Sequence, residues 1–468
     1  MSIVDQIFEA GVIGCGGAGF PTHVKYGGKI EHLIINGAEC EPLLRTDRYI
    51  MRTFADRLVQ TLVLLKKELK IKHVTFALKE GYTREITALN AAIKSSRSSI
   101  NVHLMKSFYP AGDEQTMVYE VTGKVVPPAG IPMDVGCVIT NVATLLAISD
   151  AAHGIPFTRK YLTVTGEVAN PSVLCVPVGT PLKVCIEQAG GALIKEWSVL
   201  LGGPMMGKIV SAKEAETLFV TKTTSGIVLL PKEHLLERKQ TTAVERMANR
   251  ARMSCIRCSQ CTELCPRHLL GHPIEPHKIM RSLALTGSLE KLSVDDPVIK
   301  MSLICCQCGV CELVACPMEL QPRSLFREAK KIAGAAGIRY TKGEGQREVH
   351  PVRSWRQPST KRVAARAGVE KYQNYRIENF VELQAGQVKL ALNMQIGAPC
   401  IPVVQTGDIV EAGQLIARCP EGKLGANLHA SIGGTVTCVD GAIFITEYSK
   451  QGSSDGSNVI SVDDGREA

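Results

Sequence analysis

The sequence has few aromatic residues and no long apolar stretch. Phe, Trp and Tyr make up only 5% of the 468 residues, whereas glycine occurs 42 times. This composition is typical of small β-rich modules and tight cofactor loops rather than of one large aromatic core. No run of about 18 apolar residues predicts a membrane span, and residues 1–11 are acidic and lack the basic start of a secretion signal. We therefore expect a cytosolic protein of three or four domains.

Net charge is also missing from most of the chain. Twelve Lys and Arg residues and three Glu residues between positions 323 and 366 account for the whole formal charge of +9. We interpret residues 336–376 as a solvated basic linker, with an acidic partner or a shell surface as the alternative role, and we do not expect nucleic-acid binding.

Cysteine, in contrast, is abundant and clustered. In a reducing compartment, 17 cysteines are more often metal ligands than disulfides. The run Cys255-x2-Cys258-x2-Cys261-x3-Cys265-Pro is the bacterial ferredoxin pattern, in which three thiolates bind one [4Fe–4S] cluster and the fourth crosses to another. A second run, Cys305-x2-Cys308-x2-Cys311-x4-Cys316-Pro, has one additional residue before its last cysteine.

Crossed ligation predicts two sets of four ligands. One set is Cys255, Cys258, Cys261 and Cys316. The other is Cys265, Cys305, Cys308 and Cys311. The additional residue lies within 313–315 and leaves open that Cys306 replaces Cys305. Zinc is the competing interpretation, but a Cys₄ zinc site needs two CxxC pairs and no Cys-Pro ending.

The segment Gly14–Gly19 has the form G-x-G-x-x-G, and Glu39 follows 20 residues later, as in classical dinucleotide-binding folds. That fingerprint should follow a buried strand and open a helix. Residues 2–10 instead read as a helix, and the loop runs into Phe20-Pro21-Thr22, which is not expected to start one. We therefore do not predict a classical dinucleotide-binding fold.

Four loops together resemble the flavin domain shared by the FMN-carrying subunit of respiratory complex I and the Rnf-type C subunit. They are GCGGAGFPTHVK from Gly14, NGAECEP from Asn36, YPAGDEQ from Tyr109 and NVAT from Asn141, in the family's order. The resemblance implies that residues 1–155 bind FMN and NADH. Cys15 stands where complex I has a basic residue and Ala38 where it has an acidic one, departures that bear on NADH rather than on FMN.

The resemblance also implies which residues face the flavin. Four glycines are small enough to let backbone amides approach the phosphate and the isoalloxazine: Gly14, Gly16, Gly17 and Gly19. Lys25 is a nearby cation. Those on the ring or nicotinamide side are Asn36, Glu39 and Glu41. Those that close the pocket are Gly112 and Glu114, and those at the phosphate end are Asn141 and Thr144. No acid–base catalytic residue is predicted.

Periodicity and resemblance together predict a multidomain α/β and α+β chain. In the first domain we expect strands at 32–36, 73–78 and 102–105 and helices at 46–70 and 83–95. Residues 156–230 resemble the soluble-ligand-binding β-grasp module, which we expect to be a spacer. Then follow an α-helical two-cluster ferredoxin-like domain at 240–335, the linker, a barrel-sandwich at 377–447 and a disordered tail at 448–468. Lys423 lies near the position of a carrier lysine but lacks the flanking pattern, so we do not expect its modification.

The order of the domains, with the flavin loops first and the barrel last, resembles the cobalamin reductases of propanediol-utilisation microcompartments. The resemblance implies an oxidoreductase that passes electrons from NADH through FMN and two [4Fe–4S] clusters to cobalamin inside a bacterial microcompartment, with an adenosyltransferase and a shell protein as partners. The alternatives are an Rnf- or complex I-like electron-entry subunit and a shell-docking redox scaffold. The sequence has no DxHxxG corrinoid motif, so the acceptor rests on the resemblance alone, and the oligomeric state stays open.

Overall fold

The structure, a computed structural model, describes residues 1–375 and 377–448. The expected disordered tail lies, from residue 449 onward, outside the described residues. Within the described part of the chain, no helix is both long enough and apolar enough to cross a membrane.

The first domain is a parallel sheet covered by helices. The sheet has the order β3-β2-β1-β4 and consists of β1 (His32–Asn36), β2 (His73–Lys79), β3 (Asn101–Met105) and β4 (Cys137–Asn141). The helices are α1 (Ile3–Glu9), α2 (Thr22–Tyr26), α3 (Thr46–Thr53), α4 (Ala55–Glu68), α5 (Thr83–Ser96), α6 (Glu114–Thr122) and α7 (Val142–Ala152), with a 3₁₀ turn at Pro132–Val135. The helix expected over 46–70 is divided at Phe54, whose ring packs edge-on against Tyr161 at 5.8 Å.

The glycine loop lies between two helices. Our expectation that Phe20-Pro21-Thr22 does not start a helix is wrong, because α2 begins at Thr22 directly after Pro21. Pro21 is the N-cap of this helix, and its missing N–H costs no hydrogen bond there, because the first N–H groups of a helix have no partner within it. The element before the loop is the helix α1 and not a strand, so the other reason for not expecting a classical dinucleotide-binding fold holds.

The second domain is a mixed six-stranded sheet with the order β10-β6-β5-β9-β7-β8. Its strands are β5 (Arg159–Gly166), β6 (Ser172–Pro177), β7 (Trp197–Leu201), β8 (Lys208–Ser211), β9 (Gly226–Pro231) and β10 (Asn379–Glu382), and its helices are α8 (Leu182–Gln188) and α9 (Ala212–Ala215). Strand β10 was expected in the barrel. It pairs in parallel with β6 instead, because Val381 and Leu383 pack into the apolar core of this sheet.

The third domain is helical and carries both cysteine runs. Its helices are α10 (Leu235–Gln240), α11 (Val244–Ser254), α12 (Gln260–Glu263), α13 (Pro266–Leu269), α14 (His277–Thr286), α15 (Pro297–Ser302) and α16 (Pro322–Ala335). The second run contains a π-helical segment at Val310–Ala315, where the first run has the short helix α12. A π turn accommodates one more residue than an α turn, so this segment absorbs the additional residue before Cys316.

Residues 336–376 do not form the solvated linker that we expected. They contain a 3₁₀ turn at Arg353–Trp355 and the helices α17 (Thr360–Arg366) and α18 (Glu370–Gln373). Val363 and Ala364 are fully buried against Val310 and Leu313 of the second cysteine run. The basic residues make internal contacts as well, since Arg366 donates hydrogen bonds to the carbonyl oxygens of Leu313 and Cys316 at 3.1 Å.

The last domain consists of two small antiparallel sheets, β11-β17-β16-β13 and β12-β14-β15. The strands are β11 (Gln387–Ala391), β12 (Ile401–Pro402), β13 (Ile409–Val410), β14 (Leu415–Arg418), β15 (Leu428–His429), β16 (Gly434–Val439) and β17 (Ala442–Thr446). The domain packs against the glycine loop, where the Ile396 amide donates to the Gly19 carbonyl at 2.9 Å. Buried Lys222 joins the domains through Nζ bonds to the carbonyl oxygens of Gly11 (2.7 Å) and Asn427 (3.0 Å).

Candidate functional site: a flavin cavity beside two sets of cysteines

A cavity of about 410 Å³ lies at the carboxyl ends of β1 and β4. Ligands of open α/β sheets bind at this edge, because the loops that follow the strands converge there. Ten of the twelve predicted flavin-site residues line the cavity: Gly14, Gly16, Lys25, Asn36, Glu39, Glu41, Gly112, Glu114, Asn141 and Thr144.

Two of the predicted glycines do not line this cavity. Gly19 faces the second and last domains, and a Cβ added to it would lie 3.0 Å from Thr223 Cγ2 and 3.5 Å from the Met394 carbonyl oxygen. Gly17 has a φ of +105°, and no described atom lies within 4 Å of where its Cβ would be. Gly17 therefore serves the conformation of the loop, while Gly14 and Gly16 face the cavity.

Two carboxyl groups that line the cavity, those of Glu39 and Glu41, each have one oxygen bonded to the protein and one without a partner among the described residues. Glu39 Oε1 accepts a hydrogen bond from the Asp47 amide at 2.8 Å, and Glu41 Oε2 accepts one from the Met205 amide at 2.8 Å. Their other oxygens have no hydrogen-bond partner among the described residues. Burial raises the pKa of both groups, that of Glu41 to about 7. Buried polar atoms of this kind are rare without a partner, so these oxygens fit the polar edge of a flavin or nicotinamide ring.

The other end of the cavity suits an anion. Asn141 caps helix α7 by accepting a hydrogen bond from the Ala143 amide at 2.9 Å, and the Thr144 hydroxyl accepts one from the Cys15 amide at 2.9 Å. The N-terminus of α7 thus faces the cavity with its positive dipole end. Lys160, fully buried, adds a cation there and donates to the Cys15 carbonyl at 2.9 Å. The phosphate of FMN fits this end.

Polar contacts hold the first three predicted loops against each other. Asn36 Nδ2 donates to the Gly112 carbonyl at 2.9 Å, which joins the end of β1 to the third loop. Lys25 Nζ lies 2.6 Å from Glu114 Oε1. Lys25 and Glu114 are therefore paired with each other in the structure.

The second domain contributes to the cavity, which could not be foreseen from the sequence. Lys160, Tyr161, Met206 and Ser225 line it together with the predicted loops. This domain is therefore more than the spacer that we expected. Asp47 was missed as well; it accepts a hydrogen bond from Asn141 Nδ2 at 2.7 Å, and burial together with the Glu39 charge raises its pKa to about 7. No motif marks any of these residues. Lys160, Tyr161, Met206 and Ser225 reach the cavity through packing of the second domain, whereas Asp47 reaches it from helix α3 of the first domain.

The four cysteines of the first predicted ligand set line one small cavity together: Cys255, Cys258, Cys261 and Cys316. The last of these comes from the second run, as crossed ligation predicts. The members of the other predicted set interact with one another as well. Burial and then the charges of Cys305 and Cys265 raise the pKa of Cys311. A side-chain hydrogen bond with Cys306, burial and the charges of Cys306, Cys265 and Cys311 raise that of Cys308, so Cys306 is also a neighbour of this set. Each group of four has the chemistry of a cubane site.

The backbone of the two runs is equivalent, and this bears on the choice between Cys305 and Cys306. Arg257 and Ser259 have φ values of +57° and +61°, and Gln307 and Gly309 have values of +58° and +82°. Left-handed residues at matching positions turn backbone amides toward the centre of each loop. The match places Cys305 at the position equivalent to Cys255. Cys306 has no equivalent in the first run and lines the flavin cavity.

The two sets differ in their distance from the flavin cavity and from solvent. Cys308 lines the flavin cavity, and the Tyr109 hydroxyl donates to its carbonyl oxygen at 2.8 Å. Cys258, in the other set, is exposed. We call the set of Cys265, Cys305, Cys308 and Cys311 the inner set and the other the outer set.

Four domain families match the chain in the order of its domains. Residues 7–150 match the Nuo51 FMN-binding domain, residues 161–208 the SLBB domain, residues 254–321 the 4Fe-4S dicluster domain and residues 369–464 the RnfC barrel sandwich hybrid domain. The expected fold class and the cofactors, FMN and two [4Fe–4S] clusters, are confirmed by these matches.

Some relatives are similar to this chain over nearly its whole length and others over about half of it. The chain is 36% identical over 438 residues to the cobalamin reductase PduS of Citrobacter freundii, and 36% identical over 441 residues to that of Salmonella typhimurium; each match covers 93% of the chain and 94% of the relative. It is 34% identical over 279 residues to one component of the Na⁺-translocating ferredoxin:NAD⁺ oxidoreductase complex of Acetobacterium woodii, a match that covers 57% of the chain and 58% of that component.

Proposed function

Because the chain belongs to the PduS family of cobalamin reductases, we propose that it takes electrons from NADH and delivers them one at a time to cobalamin. It is an oxidoreductase with FMN and two [4Fe–4S] clusters. The observation that carries the proposed route is that Cys308 of the inner set lines the flavin cavity. An electron could then pass from the flavin to the inner cluster without any movement of one domain relative to another.

The bound cofactors would supply the redox chemistry, in which NADH gives up a hydride and two single electrons leave for two cobalamin molecules. The protein binds and orients them. The N-terminus of α7 and Lys160 would hold the phosphate, and the free oxygens of Glu39 and Glu41 would bind the ring edge. With a pKa of about 7, Glu41 can hold or release a proton at its carboxyl near neutral pH.

We propose that electrons pass from the inner set to the outer set and leave near Cys258. The inner set lies beside the flavin cavity, and the exposed Cys258 brings the outer set to the surface. The ligands would be the eight predicted cysteines. The backbone match between the two runs supports Cys305 rather than Cys306 as one of them.

The setting of the reaction is proposed from the family resemblance. The chain would work in the cytoplasm inside a bacterial microcompartment, and an adenosyltransferase would take up the reduced cobalamin. A shell protein would be a further partner. We propose a domain division into 1–155, 156–230 with strand β10, 240–335, a docked segment at 336–375 and a barrel that begins near Gln387.

The test is an anaerobic assay of purified protein reconstituted with iron, sulfide and FMN. On addition of NADH and hydroxocobalamin, we expect the absorbance spectrum of cobalamin to change to that of reduced cobalt. Protein with full flavin and iron content that oxidises NADH but reduces only ferredoxin would favour the electron-entry role. Protein that binds both cofactors but oxidises no NADH would contradict the proposed electron donor.

A further inference from the structure

A buried ion pair joins the cluster domain to the flavin domain. Both Nη atoms of Arg267 donate to Asp113, at 2.5 and 2.9 Å, one to each carboxylate oxygen. The side chains of Arg267 and Asp113 are only 9% and 15% exposed. Bidentate pairs of this kind are geometrically specific, and burying them costs more than a surface pair. Neither residue belongs to the site predicted from the sequence.

The pair lies beside residues of both the proposed inner cluster and the flavin cavity. Arg267 follows the inner ligand Cys265 by two residues, and Asp113 lines the flavin cavity together with Cys306 and Cys308. A buried positive charge and a buried negative charge therefore stand beside the point where an electron would leave the flavin.

We propose that Arg267 and Asp113 set the reduction potential of the inner cluster with opposite signs. This inference rests on the proposed cluster ligation but not on the identity of the acceptor. When one electron passes from the reduced flavin to the inner cluster, no bond forms or breaks and the cluster gains one negative charge. Arg267 stabilises that added charge and Asp113 opposes it, because charges act strongly on each other in a buried site and cluster potentials follow the local net charge.

A purely structural role predicts a different result. If the pair only tethered the two domains, removing either partner would loosen the same interface, and the two variants would change in the same direction. The electrostatic role predicts opposite directions. Arg267→Gln leaves Asp113 uncompensated, whereas Asp113→Asn leaves Arg267 uncompensated. Asparagine also keeps the cap that Asp113 provides for α6 by accepting from the Thr116 amide at 3.0 Å.

The experiment is a redox titration of reconstituted full-length protein, followed by electron paramagnetic resonance. We expect Arg267→Gln to lower the midpoint potential of one cluster, Asp113→Asn to raise the potential of the same cluster, and the double variant to return close to the wild-type value. Arg353→Gln is the matched control. It breaks another ion pair with the flavin domain, in which Arg353 lies 2.6 Å from Glu120. Arg353 lines a different cavity, and no cysteine lines that cavity. This variant should leave both potentials unchanged.

Shifts of equal sign in the two single variants, or no shift with full iron content, would overturn the proposal. If Arg267→Gln takes up no cluster, Asp113→Asn decides alone, because an unchanged or lowered potential in that variant contradicts the proposal. Arg267→Lys keeps the positive charge and should retain most of the wild-type potential. Potentials that shift as expected in a protein that reduces no cobalamin would reject the proposed acceptor and leave this inference standing.

Discussion

Cys305 and Cys306 are adjacent thiols in different surroundings. Cys305 occupies the backbone position equivalent to Cys255, and the Gln307 amide donates to its sulfur at 3.4 Å. Cys306 instead lines the flavin cavity. The spacing of the second run leaves both open as ligands, because it does not show where the additional residue is absorbed.

The ligand assignment predicts different losses of iron in two matched variants. Cys305→Ser should lose the inner cluster, about half of the bound iron and sulfide, whereas Cys306→Ser should keep both clusters. The measurement is iron and sulfide content per chain after reconstitution, with FMN content determined in parallel. The reverse pattern would make Cys306 the ligand.

The buried carboxyl of Glu41 predicts a pH dependence of stability. Its pKa is raised from 4.5 to about 7, so the folded state binds the proton more tightly than the unfolded state. The resulting stabilisation is complete below about pH 4.5 and is lost as the pH rises through about 7, in total roughly 3 kcal/mol. Glu41→Gln has no proton to lose and can still accept from the Met205 amide. In flavin-free protein, its thermal midpoint should therefore fall less than that of the wild type between pH 5.5 and 8.5.

The control for this prediction is Glu290→Gln, which changes an exposed carboxyl group. Its pH dependence should match that of the wild type. Parallel curves for wild type and Glu41→Gln would show that Glu41 is ionised in the folded protein across this range.

At the scale of elements, helix α17 converts an expected linker into part of the central core. Its buried face, with Val363 and Ala364, packs with Val310 and Leu313 of the π-helical segment and with Tyr109 of the third flavin loop. Basic residues dominate the composition of this segment and conceal the short apolar stripe. A helix of seven residues is too short for its periodicity to stand out from the surrounding charges.

Docking of α17 predicts that one buried aspartate releases the segment 336–376. Val363→Asp places a charge in an apolar core and should cost several kcal/mol of local stability. We expect rapid cleavage by trypsin within this segment, which is rich in Lys and Arg. Ala365→Asp is the control, since Ala365 is exposed on the same helix, and it should be cleaved as slowly as the wild type. Equal cleavage of both variants would contradict the docking.

At the scale of the whole molecule, Lys222 ties three domains together. Its buried Nζ, in the second domain, binds the Gly11 carbonyl of the first domain and the Asn427 carbonyl of the barrel. The barrel thereby lies against the glycine loop, where the Ile396 amide donates to the Gly19 carbonyl. The glycine loop thus lines the flavin cavity on one side and contacts the barrel on the other.

This arrangement predicts that Lys222→Met loosens the barrel. The substitution leaves two buried carbonyl groups without a donor, at a cost of about 1–3 kcal/mol each. We expect faster hydrogen exchange at Ile396 and weaker binding of FMN. Lys208→Met, which changes an exposed lysine of the same domain, should leave both unchanged. Faster exchange without any loss of FMN affinity would show that the barrel does not support the flavin loop.

The sequence by itself determined the parts of this protein that depend on local spacing. The two cysteine runs and three of the four strands of the first sheet are readable because their residues lie a few positions apart and obey fixed geometric rules. The four flavin loops are readable because their motifs resemble those of a known family. Only the tertiary structure decided what depends on packing between distant segments. It brought Lys160 and Met206 into the flavin cavity, moved β10 into the second sheet, docked α17 and set Arg267 against Asp113. Each of these contacts joins residues dozens to hundreds of positions apart, and the burial that stabilises them exists only once the domains have come together.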